Sequence, residues 1–328
     1  MTEPRKEPRL LRWETLSKSR FDEIDRAKAV VLLTCSPLEV HGPHLPMGAD
    51  ALEGEGLAER MLRFLPEHQK DRVFLKLPFI YAATDTVPQP GSLYFQPSTT
   101  MTVLEDLGRT LAAQGFEHVL VSNFHGGPRH FLAIEKACER VHRRYGLKMV
   151  SVFSLMISRL TEGTSNLDDV LGGIPGVHKP DLKGDTHGGL VETSQLLALH
   201  GDWVDPEYKN LPQMTTEIWL ERQGRTRVQK GHRFADVVNL LRANRDGISF
   251  FKEETYAGAP AGASAELGER FLDLLGEKAG EAVGELLDGR IGPADCHSPA
   301  WPLRFIFLNP LMIRLSNWFI GMRRNPIA

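Results

Sequence analysis

Glu39 and His41 stand two residues apart, just after an apolar run from Ala29 to Leu33. In extended chain, side chains at i and i+2 share a face, so a carboxylate and an imidazole converge on one point. Gly42 and Pro43 turn the chain, Pro46 and Gly48 mark a second bend, and Asp50 falls where a helix N-cap is expected. Two further donors occupy similar settings. His125 lies in Asn123-Phe124-His125-Gly126-Gly127, directly after the strand expected at Glu117 to Ser122, and Glu192 follows His187-Gly188-Gly189 where a helix opens. Oxygen and nitrogen donors gathered at strand ends suit a divalent cation such as Zn, Mn or Fe(II).

The elements that must bring these residues together are legible as alternating strands and helices. Strands are expected at Ala29 to Leu33, Val73 to Ile80, Glu117 to Ser122 and Met149 to Leu155. Helices are expected from Asp50 to Phe64, from Thr99 or Thr100 to Gln114, from Pro128 to Tyr145, and from about Gly184 to Leu199. That alternation implies βαβ units and a parallel sheet covered on both faces, with ligands at the carboxyl ends of the strands. Glu39, His41 and His125 all fall just beyond such ends. Thr86 to Ser92 reads as a rigid turn-rich loop, 157–184 as a long loop or lid, and Arg233 to Ala243 as a helix. Pro260 to Ser264 introduces a long amphipathic helix ending near Leu287.

Composition excludes several function classes. The chain has 328 residues, 41% hydrophobic and 25% charged, so it can bury a large core. A net charge of -3 leaves no electrostatic footprint for nucleic acid. Three dispersed cysteines, Cys35, Cys138 and Cys296, give neither a disulfide framework nor a thiolate zinc site and fit a reducing, cytoplasmic compartment. Met1 to Arg12 is charged and lacks the apolar stretch of a signal peptide, and no spanning helix is expected. The division expected is an arm over 1–27, one large domain over 28–290 and an apolar tail over 291–328. In the tail, Arg314, Asn317 and Gly321 form a narrow polar stripe at helical spacing, beside Trp318. Such a helix packs on its own domain or on a partner subunit; residues 305–324 also suit peripheral contact with a membrane surface.

The ordered set Glu39-x-His41-Gly-Pro-His-Leu-Pro with Asp50, Asn-x-His125-Gly-Gly, and His187-x-Gly-x-x-Glu192-Thr-Ser resembles the creatininase (creatinine amidohydrolase) family. Gly258-Ala-Pro-x-x-Ala-Ser-Ala-Glu-x-Gly268 resembles that family's C-terminal helix entry, and the match spans roughly 28–288. The resemblance implies a three-layer α/β/α sandwich with a mostly parallel sheet, often hexameric, holding two divalent metal ions and acting on a small molecule. Carried over, Glu39 and His125 bind one metal, His41 the other, and Asp50 bridges them. Gly127 stands where some members carry a glutamate ligand, so Glu192 becomes the fifth ligand; Pro128 replaces a usual asparagine. His187 is the proton shuttle to the leaving nitrogen, His44 orients a ligand through hydrogen bonds, and Asp85 contacts substrate or serves its turn. Creatinine-hydrolysing members carry a glutamate where this chain has Thr186, and tryptophans in a lid; here 155–185 holds none. The expected activity is hydrolysis of a C–N bond in a small cyclic amide or formamide other than creatinine. Hydrolysis of a cyclic polyol ketone, trimming of a precursor peptide, and a silent metal-stabilised scaffold are the alternatives.

Overall fold

The computed structural model describes residues 8–162, 167–226 and 245–319. Its centre is a sheet of five parallel strands: β1 (Arg9–Arg12), β2 (Val30–Thr34), β3 (Val73–Lys76), β4 (His118–Ser122) and β5 (Lys148–Ser151), in the order β1-β3-β2-β4-β5. β2 and β4 are buried at every position, as continuous apolar runs must be when both sheet faces are covered. Their alternate residues feed two cores. Val30, Leu32, Phe74, Leu120 and Val150 face one layer, and Val31, Leu33, Leu75, Val119 and Val121 the other.

The helices follow in chain order. α1 (Lys18–Asp22) is short. α2 (Ala49–Arg63), α5 (Val152–Leu160) and α10 (Ala265–Leu287) fill the first layer, α3 (Pro97–Ala113) and α4 (Pro128–Tyr145) the second. Between them come α6 (Leu167–Leu171), α7 (Leu190–His200), α8 (Thr216–Arg222) and α9, helical over 245–253. The result is a three-layer α/β/α sandwich. The chain leaves β2 towards β3 on one side and returns to β4 on the other, which makes the carboxyl ends of β2 and β4 the topological switch point.

Several expectations change. Arg9–Arg12, read as part of a loose arm, is an edge strand paired with Val73–Lys76. The strand from Val73 stops at Lys76, because Pro78 cannot donate to the ladder. The apolar run after Lys148 turns helical at Val152, where the Ser151 hydroxyl accepts from Ser154 N at 3.2 Å and caps α5. The lid region therefore carries α5 and α6 rather than loop alone. The expected helix from Arg233 to Ala243 lies outside the described residues.

The tail forms α11 (Arg304–Phe307) and α12 (Pro310–Phe319) against α4. Ile313 is buried and the Arg129 guanidinium donates to Asn317 Oδ1 at 3.0 Å, while Phe305, Leu311 and Trp318 stay exposed. Among the described residues no helix is long and apolar enough to cross a membrane.

His118 is among the buried histidines whose lowered pKa should make the fold acid-sensitive. His118, 3% exposed and with neither ring nitrogen hydrogen-bonded, is held down to about 4 by burial and by Lys148 and Arg72 nearby. Its folded pKa is lowered, so the unfolded chain binds the extra proton between about pH 6.5 and 4, and stability falls as pH drops through that window. The cost at pH 5 is on the order of 2 kcal/mol. His118→Phe should flatten the decline of Tm between pH 7 and 5, read by calorimetry; an unchanged slope would overturn the assignment.

Candidate metal centre

Each side chain in the centre is placed by a different element. Glu39 and His41 lie on the segment leaving β2, His125 directly after β4, and Asp50 in the first turn of α2. Gly48, not Asp50, occupies the N-cap of α2. Asp50 is 1% exposed, its Oδ1 3.4 Å from His41 Nε2 and its Oδ2 3.4 Å from His125 Nδ1. Glu39 Oε1 stands 2.8 Å from His125 Nδ1 and 3.9 Å from His41 Nε2, and Glu192 Oε2 is 3.8 Å from His41 Nε2. All five expected donors meet here. They form two triads within ligand reach, Glu39–Asp50–His125 and His41–Asp50–Glu192, with Asp50 common to both, and His187 joins Glu39 and His41 in a third such group.

The side chains are oriented from behind. His41 donates from Nδ1 to the Glu39 carbonyl at 3.1 Å, and His125 from Nε2 to the Thr84 carbonyl at 3.1 Å. Each ring therefore turns its other nitrogen to the centre, as metal-ligating histidines do. Val87 N donates to Glu39 Oε2 at 2.7 Å, and Gly188 N to Glu192. Gly188 needs its left-handed φ of 59°, since a Cβ would meet the His41 backbone at 3.2 Å. Asp185 caps α7 by accepting from Leu190 N at 2.8 Å and Val191 N at 3.0 Å, which sets the direction of Glu192.

Glu39 Oε1, His41 Nε2 and Asp50 Oδ2 are buried without a well-directed hydrogen bond, and their polar neighbours are the other members of the centre. Such groups cost stability unless compensated by charge. Burial works against a charge on His41, yet Asp50, Glu192 and Glu39 outweigh it and raise its pKa to about 10. Glu39 and Asp50 likewise hold His125 well above its usual value against its burial. Burial raises the pKa of Glu39, and raises that of the partly buried Glu192 to about 7, while protons on the two histidines supply positive charge to the cluster. A cation on the same nitrogens supplies it better, so the donor set fits divalent metal.

His187 is 8% exposed, stacks on His41 at 4.1 Å, and donates from Nε2 to the Val40 carbonyl at 2.7 Å. Burial and the neighbouring His41 hold it well below its usual pKa, hence neutral. Thr186 lines the same cavity, of about 250 Å³, with Pro88, Ile248 and Phe251. His44 sits outside both triads, its Nε2 2.8 Å from Thr193 Oγ1, next to Glu192 in the chain. Sequence reasoning missed Glu53, fully buried with neither carboxylate oxygen hydrogen-bonded. Burial, then Glu192, Asp50 and Asp185, push it well above the carboxylate range, so it is neutral. Its spacing of three from Asp50 on α2 was the available signal.

Asp85 has a positive φ of 63°, and its Oδ2 accepts from Arg129 N at 2.7 Å in the first turn of α4. This ties the 84–87 loop, whose Thr84 carbonyl and Val87 N–H hold His125 and Glu39, to the start of α4. Asp85→Ala is expected to weaken metal affinity about tenfold or more, the usual size of an outer-shell effect. Asp85→Asn, which tolerates the same backbone conformation and keeps an acceptor, should recover most of it. Competition against a chromogenic chelator checks both; equal losses would show that the anchor is irrelevant.

An α/β/α sandwich with a buried His, Glu and Asp cluster at its switch point has the architecture of a metal-site protein. The family model for creatininase, creatinine amidohydrolase, matches residues 14–283, and the chain belongs to the creatininase family. Among solved structures, a manganese creatininase aligns over 84% of this chain and 98% of its own, at 19% identity and TM-score 0.57. A putative creatinine amidohydrolase from Bacteroides fragilis aligns over 86% and 97%, at 18% identity and TM-score 0.57. A mutant creatininase of Zn-Zn type aligns over 84% and 97%, at 18% identity and TM-score 0.57. A search of the curated proteins gives no match.

Proposed function

We propose that this chain is a metal-dependent amidohydrolase that uses two divalent cations, zinc, manganese or iron, to cleave a C–N bond of a small cyclic amide or a formamide other than creatinine. The observation that carries this reading is Asp50: its two carboxylate oxygens face two different histidines, each 3.4 Å away. In this reading Glu39 and His125 would hold one cation and His41 and Glu192 the other, with Asp50 shared between them. When bound, such a pair lowers the pKa of a water and polarises the scissile carbonyl.

The chain's own residues move the proton. His187 spends its Nε2–H on Val40, which leaves Nδ1 as the basic nitrogen. Neutral at rest, it takes a proton from the attacking water and returns it to the leaving nitrogen. Thr186 in place of the glutamate of creatinine-hydrolysing members supports a different substrate. The reading extends to a cytoplasmic homo-oligomer in which the exposed tail side chains Phe305 and Leu311 contact another copy. Deleting 303–328 should then reduce particle size without altering liposome binding.

The central test is metal removal and replacement. Titrating stripped protein with zinc or manganese in weak buffer should release on the order of two protons per chain, as His41 and His125 give theirs up. Screening cyclic amides and formamides should then show ring opening with acid release from the former, or formate release from the latter, only in loaded protein. Metal uptake without proton release, and hydrolysis indifferent to chelator, would sink the reading.

A further inference from the structure

A second cavity, of about 320 Å³, adjoins the one at the metal centre. The two share Gly126, Thr186, His187 and Glu192, so the same residues border both. Gly126 is exposed and a Cβ built on it meets nothing within 4 Å among the described residues, so no side chain occupies this shared position. The walls differ in character. The first cavity presents Glu39, Asp85 and His125; the second presents Phe124, Phe153, Met156, Ile157, Leu167 and Leu171. Its further polar lining residue, Asp185, is engaged in capping α7. Phe124, Phe153 and Ile157 are only half-buried and lean on the core from the cavity side.

We propose that this second cavity receives an apolar, ring-sized substituent of the substrate, attached next to the bond hydrolysed at the metal centre. The inference rests on the hydrolytic reading of that centre. A substrate whose carbonyl faces Glu39 and His125 has the shared wall beside it, and a group projecting past Thr186 and Gly126 enters a space lined by carbon. Roughly 150 Å³ of apolar cavity accommodates a benzene ring, so the space here holds a ring with a short linker. Water in such a space finds few polar partners, and its release favours an apolar occupant. A small, wholly polar amide leaves the cavity unused.

The test compares acetohydroxamate with phenylacetohydroxamate, two chelating probes that differ by one phenyl group, on zinc-loaded protein by calorimetry. The phenyl compound should bind at least about tenfold tighter, the order expected for moving a ring out of water. Ile157→Trp, which fills the cavity, should erase that advantage and leave acetohydroxamate affinity unchanged; Ile157→Phe should erase part of it. Benzyl alcohol provides a metal-independent arm, read in stripped protein from the methyl resonances of Met156, Ile157 and Leu171. Shifts at all three, with those of Met156 and Leu171 lost in Ile157→Trp, support the cavity even if neither hydroxamate binds and the hydrolytic reading fails. Equal hydroxamate affinities, or methyl resonances that benzyl alcohol leaves unmoved, would overturn the proposal.

Discussion

Asp50→Asn is expected to abolish hydrolysis, with kcat/KM down by about 10³-fold or more, and to leave the protein with at most one tightly held cation. Removing an outer-shell partner of a ligand typically costs ten- to a hundredfold in affinity or activity, so a residue placed to touch both cations should cost more. The substitution keeps the shape of the side chain and one acceptor oxygen but removes the charge. The five converging donors then offer Glu39 and Glu192 as the remaining carboxylates, one in each triad. The fold should survive, since α2 starts at Ala49 and its packing does not pass through Asp50. In stripped protein the two histidines lose the carboxylate that faces both, so proton release on zinc addition should shrink as well. Metal content by mass spectrometry and activity on the best substrate of the screen check this together. Wild-type stoichiometry of two with activity above about a tenth of normal would show that Asp50 does not bridge, whatever its position suggests.

How much of this was legible in the sequence follows from where the information sits. β2 and β4 are continuous apolar runs bounded by polar turns, so both strands and the donors just beyond their ends could be read directly. The bridging role of Asp50 comes from the family resemblance; its type and position alone read as an N-cap, because residue type does not separate an N-cap from a first-turn carboxylate aimed inward. β5 and α5 were merged because Met149 to Leu160 stays largely apolar across the junction and shows neither period clearly. Arg9–Arg12 is too short to declare itself; it is a strand because β3 offers it an edge. The groups that orient Glu39 and His125 are backbone atoms of Val87 and Thr84, and no side-chain pattern encodes those. Glu53 was passed over because an acidic residue on a helix is usually solvated, and only tertiary packing buries it.

The second large effect lies away from the centre. Gly268→Ala should destabilise the protein by about 3 kcal/mol, because a Cβ there would sit 1.8 Å from the Ser194 carbonyl oxygen and 2.9 Å from Ala198 Cβ. The obstacle is backbone in the middle of α7, so no side-chain rotation relieves it. α10 approaches its neighbours through a row of glycines: Gly276 meets Arg60, Gly280 meets the Met61 carbonyl and Gly284 meets Pro66. The start of α10 is also tied to α7, since Ser264 N donates to Ser194 Oγ at 3.3 Å. Alanine's better helix propensity returns at most about 1 kcal/mol, so the clash decides the sign. A loss of this size lowers Tm by roughly 5–10 °C in a domain this large. Gly247→Ala, in another helix, is the control, for a Cβ there meets nothing within 4 Å among the described residues, and Tm should hold or rise slightly. Because Glu192 lies two residues before Ser194 on α7, relief of the clash must also move its carboxylate relative to His41. Gly268→Ala should therefore weaken metal binding as well as stability, whereas a purely global loss would leave affinity at 10 °C unchanged.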